Sequence, residues 1–510
     1  MAIWVLGDQL TTAVGPLSRA DTDERVLMIE AHDFARRHAY HPHKLALVFS
    51  AMRHFRDDLR EAGYDVSYHE AESFDDALKS YFEECPGDEL TVMKPASYGA
   101  ADRLTDLVEG HGGSLEVVTN ETYLCSEERF DEFAEGNEEF DHESFYRMMR
   151  RETGYLMDGE EPIGGEWNLD DQNQKFPGTE YESPDPTRFE PDGITEEVIE
   201  WVAEEFDGSY EEYPYGGAWA DSEEFFWPVT GDEAEVALES FVDDRLPEFG
   251  PYQDAMLDEE WSLNHALLSS SINLGLLHPA RVVERVLDAY VERDLPLNSV
   301  EGFVRQVIGW REFMRHVYRY DMPDLADANQ LEASEDLPEF YWTGETDMAC
   351  LSDVVESVRE RGYSHHIERL MILSNFALTY GVEPRQLNEW FHAAYVDAYH
   401  WVTTPNVIEM GMYGSGVFAS KPYASSANYI DKMSDHCSGC EYAKTKTVGE
   451  NACPFNALYW DFLGRNEERL RDNYRMSLVY GHWDDKDTEE REEIAERAGE
   501  IRDLAASGDL

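Results

Sequence analysis

The sequence predicts an α/β amino-terminal domain on a parallel sheet, followed by a large all-α domain. Three observations predict it. Short apolar runs alternate with amphipathic stretches over residues 1–125. Helical periodicity sets in from about residue 141. A Gly-, Pro-, Asp- and Trp-rich stretch over 155–230 reads as a long connection between the two patterns. The expected units are 1–125, an acidic connection with a long loop over 126–235, a helical domain over 236–483, and a charged helical tail over 484–510 that reads as peripheral.

The runs 2–6, 26–29, 66–68, 90–93 and 115–118 are short and mostly apolar, as strands buried on both faces should be. Helical stretches such as 44–62 and 99–109 separate them, so the sheet is doubly wound and its ligands belong beyond the carboxyl ends of the strands. The first such end is Gly7-Asp8-Gln9-Leu10 and the second is Glu30-Ala31-His32. No GxGxxG follows the first strand, so the usual dinucleotide fingerprint is absent.

Composition narrows the class. With 108 acidic against 41 basic residues the formal charge is −67, yet aromatics reach 13%, which argues for a packed core and against disorder. Such a chain fits the cytoplasm of a high-salt organism, where the Debye length falls to about 3 Å and self-repulsion is screened. No apolar run is long enough to span a membrane. A monomer of two or three domains is expected. Acidic proteins bind nucleic acid poorly, but basic residues gather at Arg147, Arg150 and Arg151, at Arg305, Arg311, Arg315 and Arg319, and at Lys421, Lys432, Lys444 and Lys446. Arg361 and Arg369 form a further basic pair. A locally basic face therefore leaves DNA binding open. Ordinary arginines on helix surfaces are the alternative.

Cys437-Ser-Gly-Cys440 is followed by Cys453-Pro454, and Cys350 lies upstream. Four thiolates suit either Zn²⁺ or a [4Fe–4S] cluster, and the proline after Cys453 favours the cluster over a zinc knuckle. No secretory leader is legible, so disulfides are not expected, and Cys85 and Cys125 should stay free.

Several segments occur together. They are FGPYQDAM at 249–256, SLNHALLSSSINLGLLHP at 262–279, EGFVRQVIGWREF at 301–313, HHIERLMILSNFAL at 365–378, WFHAAYVDAYHWVTTPNV at 390–407 and SKPYASSANYIDKMSDHCSGC at 420–440. After an α/β domain, this order resembles the cryptochrome/photolyase superfamily. The four cysteines, and FYRMMRRETGYLMDGEEPIGGEWNLD at 145–170, narrow the likeness to the iron–sulfur bacterial and archaeal (6-4) photolyases and related cryptochromes. The resemblance implies FAD in the helical domain, an antenna pigment in the α/β domain, and repair of UV-damaged DNA by an electron from photoexcited reduced flavin. A light-sensing cryptochrome on the same scaffold is the alternative. Helical domains with four cluster cysteines also resemble the primase large subunit, but that leaves the α/β domain and the flavin segments unexplained.

The resemblance also assigns residues. His265, Leu268, Ser269 and Asn273 fall in the flavin-phosphate segment, and Arg311 in the WRE segment that helps to hold the flavin. Asp397, Ala398 and Tyr399 match the flavin-edge segment, with Thr403 facing the flavin N5 where many relatives have Asn; Asn406, Lys421 and Tyr423 complete the pocket. HHIERL is similar to the HHLARH motif of eukaryotic (6-4) enzymes, which makes His366 the proton donor and His365 its neighbour, with Leu370 a departure from the motif. Trp342 and Trp390 are candidates for an aromatic electron relay, and Asp254 for a Mg²⁺ that meets lesion phosphates. For a 6,7-dimethyl-8-ribityllumazine antenna the contacts would be Gln9, Leu10, Glu30, Tyr40 and Lys44.

Overall fold

The computed structural model describes every residue except 136–140, 207–218, 221–223 and 259. All five expected strands form: β1 (Ala2–Val5), β2 (Arg25–Ala31), β3 (Asp65–Ala71), β4 (Glu89–Met93) and β5 (Ser114–Val118). They make one parallel sheet in the order β3-β2-β1-β4-β5, with Ile3 in register with Val26 and Thr91. The central strand explains its own composition. Ile3 and Val5 pack with Phe49 and Met52 of the helix Pro42–Glu61 on one face. Ala2 and Trp4 pack with Leu78 and Tyr81 of the helix Phe74–Glu84 on the other. With both faces covered, alternation gives way to continuous apolar sequence.

The connection holds more than loop. It contains the helices Glu127–Glu135, His142–Thr153 and Gly193–Glu205 and a small hairpin, Met157–Asp158 with Glu161–Pro162. The helix Gly193–Glu205 buries Val198 and Val202 in the α/β core, while His142 stacks on Trp310 of the helical domain with ring centroids 3.7 Å apart. The connection thus serves both domains.

The helical domain carries four π-helical turns: Phe241–Arg245, Arg305–Arg311, Arg369–Ser374 and Pro405–Gly411. Each inserts a residue into the ladder and turns the following side chains about the axis, a device common at functional sites. The last three contain Arg311, Arg369 and Asn406.

The tail is not peripheral. Its helix Thr488–Ser507 buries Ile494, Ala498, Ile501 and Ala505 in the core that also holds the helix Pro454–Arg465. Arg502 donates to Asp461 at 2.6 Å and to the Tyr380 carbonyl at 3.1 Å, and the Leu510 carbonyl accepts from the Asp347 amide at 3.0 Å. That apolar stripe recurs every three or four residues, but dense charge around it hides it in the sequence.

The domains meet where β1 ends. The Leu10 amide donates to the Leu274 carbonyl at 2.8 Å, and Gly275 (φ 88°) follows because a Cβ there would lie 3.0 Å from that amide. Among the described residues no helix is long and apolar enough to cross a membrane.

Candidate active site

Asp397 is buried just beyond the helix Pro384–Ala394. Arg369 grips it with two parallel contacts, Nη1–Oδ1 at 3.0 Å and Nη2–Oδ2 at 3.1 Å. The Ser269 hydroxyl donates to Oδ2 at 2.6 Å, and Asn273 Nδ2 donates to the Asp397 carbonyl at 2.9 Å. Burial pulls the carboxyl pKa upward, but Arg369 and Ser269 outweigh it and hold the group below its ordinary range.

Next to this clamp lie donors that the protein leaves unused. His265 Nε2, Ser270 Oγ and Ser271 Oγ are buried without a hydrogen-bond partner among the described residues. An unmade buried hydrogen bond costs about 1–3 kcal/mol, so a concentration of them beside an arginine–carboxylate pair marks a place for a polar ligand. Hydroxyl and imidazole donors suit phosphate oxygens, and the carboxylate suits a ring N–H. The donor set fits a flavin nucleotide.

The other expected pocket residues divide into groups. Leu268 is buried directly before the helix Ser269–Leu274. Thr403 and Asn406 bond back to their own helix, donating to the Tyr399 carbonyl at 3.2 Å and the Val402 carbonyl at 2.8 Å. Lys421 and Tyr423 are exposed. The Ala398 carbonyl accepts from Lys44, and Tyr399 precedes the helix His400–Thr404. Arg311 is engaged elsewhere: it lies 4.5 Å from the Tyr123 ring centroid and 5.0 Å from that of Trp401, and pairs with Glu312 at 3.2 Å. The arginine at the carboxylate is Arg369. The sequence counted it only as a basic residue, although its place four residues after His365 in HHIERL was the available signal.

His365 caps the short helix His366–Glu368, with Nε2 3.0 Å from Glu368 Oε1, and its ring stacks on His265 at 4.5 Å. His366 is 48% exposed, with Nε2 3.7 Å from Asp254 Oδ1. Desolvation, followed by the nearby His365, Arg369 and Arg305, lowers the His366 pKa, an effect that the open half of the ring moderates. Burial and then Asp170 raise Asp254 to about 6 against Arg305 and His365. A neutral imidazole thus faces a carboxylate that titrates near neutrality.

Trp390 is fully buried and donates to the Tyr341 carbonyl at 2.9 Å. Its ring lies 5.2 Å from Tyr341 and 5.8 Å from Tyr395, and Tyr395 lies under Arg369 at 4.1 Å. Trp342, next in the chain after Tyr341, meets Trp219 at 5.2 Å. Trp390 thus belongs to an aromatic run that begins at the Asp397 clamp, whereas Trp342 pairs with Trp219.

Cys350, Cys437, Cys440 and Cys453 line a single pocket together with Met348, Ile430 and Phe455. Burial raises the Cys350 thiol well above its usual pKa, and the other three sulfurs raise it further. All six cysteines are free thiols, Cys85 and Cys125 included.

The expected antenna contacts lie at or near the domain junction. Gln9 donates to the Met93 carbonyl at 3.0 Å. The Tyr40 hydroxyl is 3.3 Å from His392 Nε2, and the buried Lys44 amine donates to the carbonyls of His392 and Ala398 at 2.6 and 2.7 Å. Glu30 is closed by Arg53, Tyr68 and His32.

A parallel-sheet domain joined to a large helical domain is the photolyase/cryptochrome architecture. The fold matches a bacterial class III photolyase from Agrobacterium tumefaciens at a TM-score of 0.58 and 14% identity, covering 99% of this chain and 96% of that one. It matches a Synechocystis cryptochrome equally, at 0.58 and 12% identity, over 99% and 98% of the chains. Residues 3–213 match the family described as deoxyribodipyrimidine photo-lyase-related protein. The chain is 41% identical over 489 residues to a (6-4) photolyase of Agrobacterium fabrum, spanning 94% of this chain and 95% of that protein. It belongs to that photolyase family.

Proposed function

We propose that the protein is a light-driven (6-4) DNA photolyase that binds FAD in its helical domain. The observation that carries this reading is the Asp397–Arg369 clamp beside unpartnered buried donors, with His365 and His366 packed against the same His265. The 41% identity to a (6-4) photolyase supports it. Asp397, Ser269, Ser270, Ser271 and His265 would hold the cofactor. Bound, reduced and illuminated, FAD supplies the electron that opens the lesion. His366 Nε2 gives the proton needed when the hydroxyl on the 5′ base returns to the 3′ base. Lesion phosphates entering the mouth bring negative charge against the field of Arg305 and Arg369, which favours the imidazolium. Asp254 steadies that charge, or would hold a Mg²⁺ that offsets the charge of a lesion phosphate.

The thiol pocket would hold a [4Fe–4S] cluster. Four sulfurs lining one pocket supply the thiolate set, and the proline directly after Cys453 favours the cluster over zinc. Metal analysis should return about four irons per chain; stoichiometric zinc without iron would remove the cluster. A lumazine antenna would lie at the end of β1, with Gln9 and Leu10 as its nearest contacts. Incubating the protein with a defined (6-4) lesion in molar salt tests the whole reading. Restored bases in light and none in darkness support repair. Flavin photoreduction with the lesion untouched would favour a cryptochrome.

A further inference from the structure

We propose that His38, His392 and His400 form a site for a borderline divalent transition-metal ion, of the Zn²⁺, Ni²⁺ or Co²⁺ type, that ties the two domains together. One ring nitrogen of each lies within 4.8 Å of those of the other two. His38 follows β2 in the α/β domain, whereas His392 sits in the helix Pro384–Ala394 and His400 opens the helix His400–Thr404. Imidazole nitrogens suit these ions, and three of them leave a coordination position for water.

His392 supplies the second observation. It is 3% exposed, its Nε2 faces the Tyr40 hydroxyl at 3.3 Å, and its Nδ1 is buried with no hydrogen-bond partner among the described residues. An Nε2–H donated to Tyr40 leaves the lone pair on Nδ1. That is how an outer partner presents a metal-binding histidine.

Protonation favours the ion as well, since ligating imidazoles must be neutral. Burial depresses His38, holds His392 well below its usual range, and takes His400 down to about 4. Lys44 and Arg37 oppose the ion, while Glu389 favours positive charge at His38; burial lowers Lys44 to about 7, so it can release its proton as the ion arrives. His38 and His400 are partly exposed and give access from solvent.

The rings of His392 and His400 stack at 3.8 Å with 16° between their planes. A metal lies in the plane of each imidazole that binds it, so loading turns His400 out of the stack while Tyr40 holds His392.

Ni²⁺ titrated by calorimetry into the chelator-washed, cluster-loaded protein should bind one equivalent at this site. His38→Ala and His400→Phe should each weaken that binding by tenfold or more, and Tyr40→Phe by about tenfold. His400→Phe keeps a ring stacked on His392 without a donor nitrogen, which separates lost ligation from lost packing. No Ni²⁺ equivalent in the wild-type protein, or equal affinity in His38→Ala and His400→Phe, would overturn the site.

Discussion

Two buried arginine–carboxylate clamps, one in each domain, obey the same electrostatics and serve different ends. At the carboxyl end of β2, Glu30 accepts from Arg53 at 2.7 and 3.1 Å and from the Tyr68 hydroxyl, with His32 at 3.4 Å. In the helical domain, Asp397 accepts from Arg369 and Ser269 in the same manner. In both, burial would raise the carboxyl pKa and the hydrogen-bonding partners outweigh it, taking Glu30 down to about 2 and Asp397 below its usual range. The surroundings differ. Arg53 and Tyr68 bond Glu30 directly and His32 Nε2 lies 3.4 Å from it, whereas three donors, on His265, Ser270 and Ser271, stand unpartnered near Asp397 among the described residues. A closed clamp is a joint; an open one awaits a ligand.

Truncation breaks the comparison most sharply. Removing one partner of a buried ion pair costs about 3–5 kcal/mol, so Glu30→Ala and Asp397→Ala should lose similar stability in urea at molar salt. Only Asp397→Ala should purify without flavin. Equal flavin content in the two variants would erase the distinction.

Acid should act on the closed clamp next. The depressed pKa of Glu30 gives stability that is fully present above about 4.5 and is lost as pH falls through about 2, worth about 3 kcal/mol. Unfolding titrations of wild type and Glu30→Gln should therefore converge at low pH. Curves that stay parallel down to pH 2 would show that Glu30 is not held ionised. A smaller effect sharpens the open clamp: Ser269→Ala removes one hydrogen bond to a carboxylate and should cost about 1.5–3 kcal/mol, with weaker flavin retention. Unchanged stability and flavin content would show that the Ser269 bond contributes nothing.

Much of this was legible in the chain. The sheet announced itself because strands covered on both faces must be apolar, and the thiol quartet because Cys350 joins Cys437, Cys440 and Cys453 around one pocket. Local pattern did not reveal which arginine meets Asp397. Arg311 and Arg369 each stand in a π-helical turn, and only the packing of those turns sends one to the domain junction and the other to the carboxylate. Tyr40 and Lys44 were expected as antenna contacts, and the junction turns both toward His392, a partner that local pattern did not show. The buried stripe of the tail was present in the sequence and masked by charge.

The central claim is that His366, beside Asp254 and packed against His265, donates the proton for (6-4) repair. Single-turnover repair by His366→Ala, in molar salt and at flavin content matched to wild type, tests it most directly. The account predicts intact flavin photoreduction and lesion binding, with repair slowed by ~10²–10⁴-fold, the usual contribution of a general acid. Repair at the wild-type rate would contradict it and remove His366 from the chemistry.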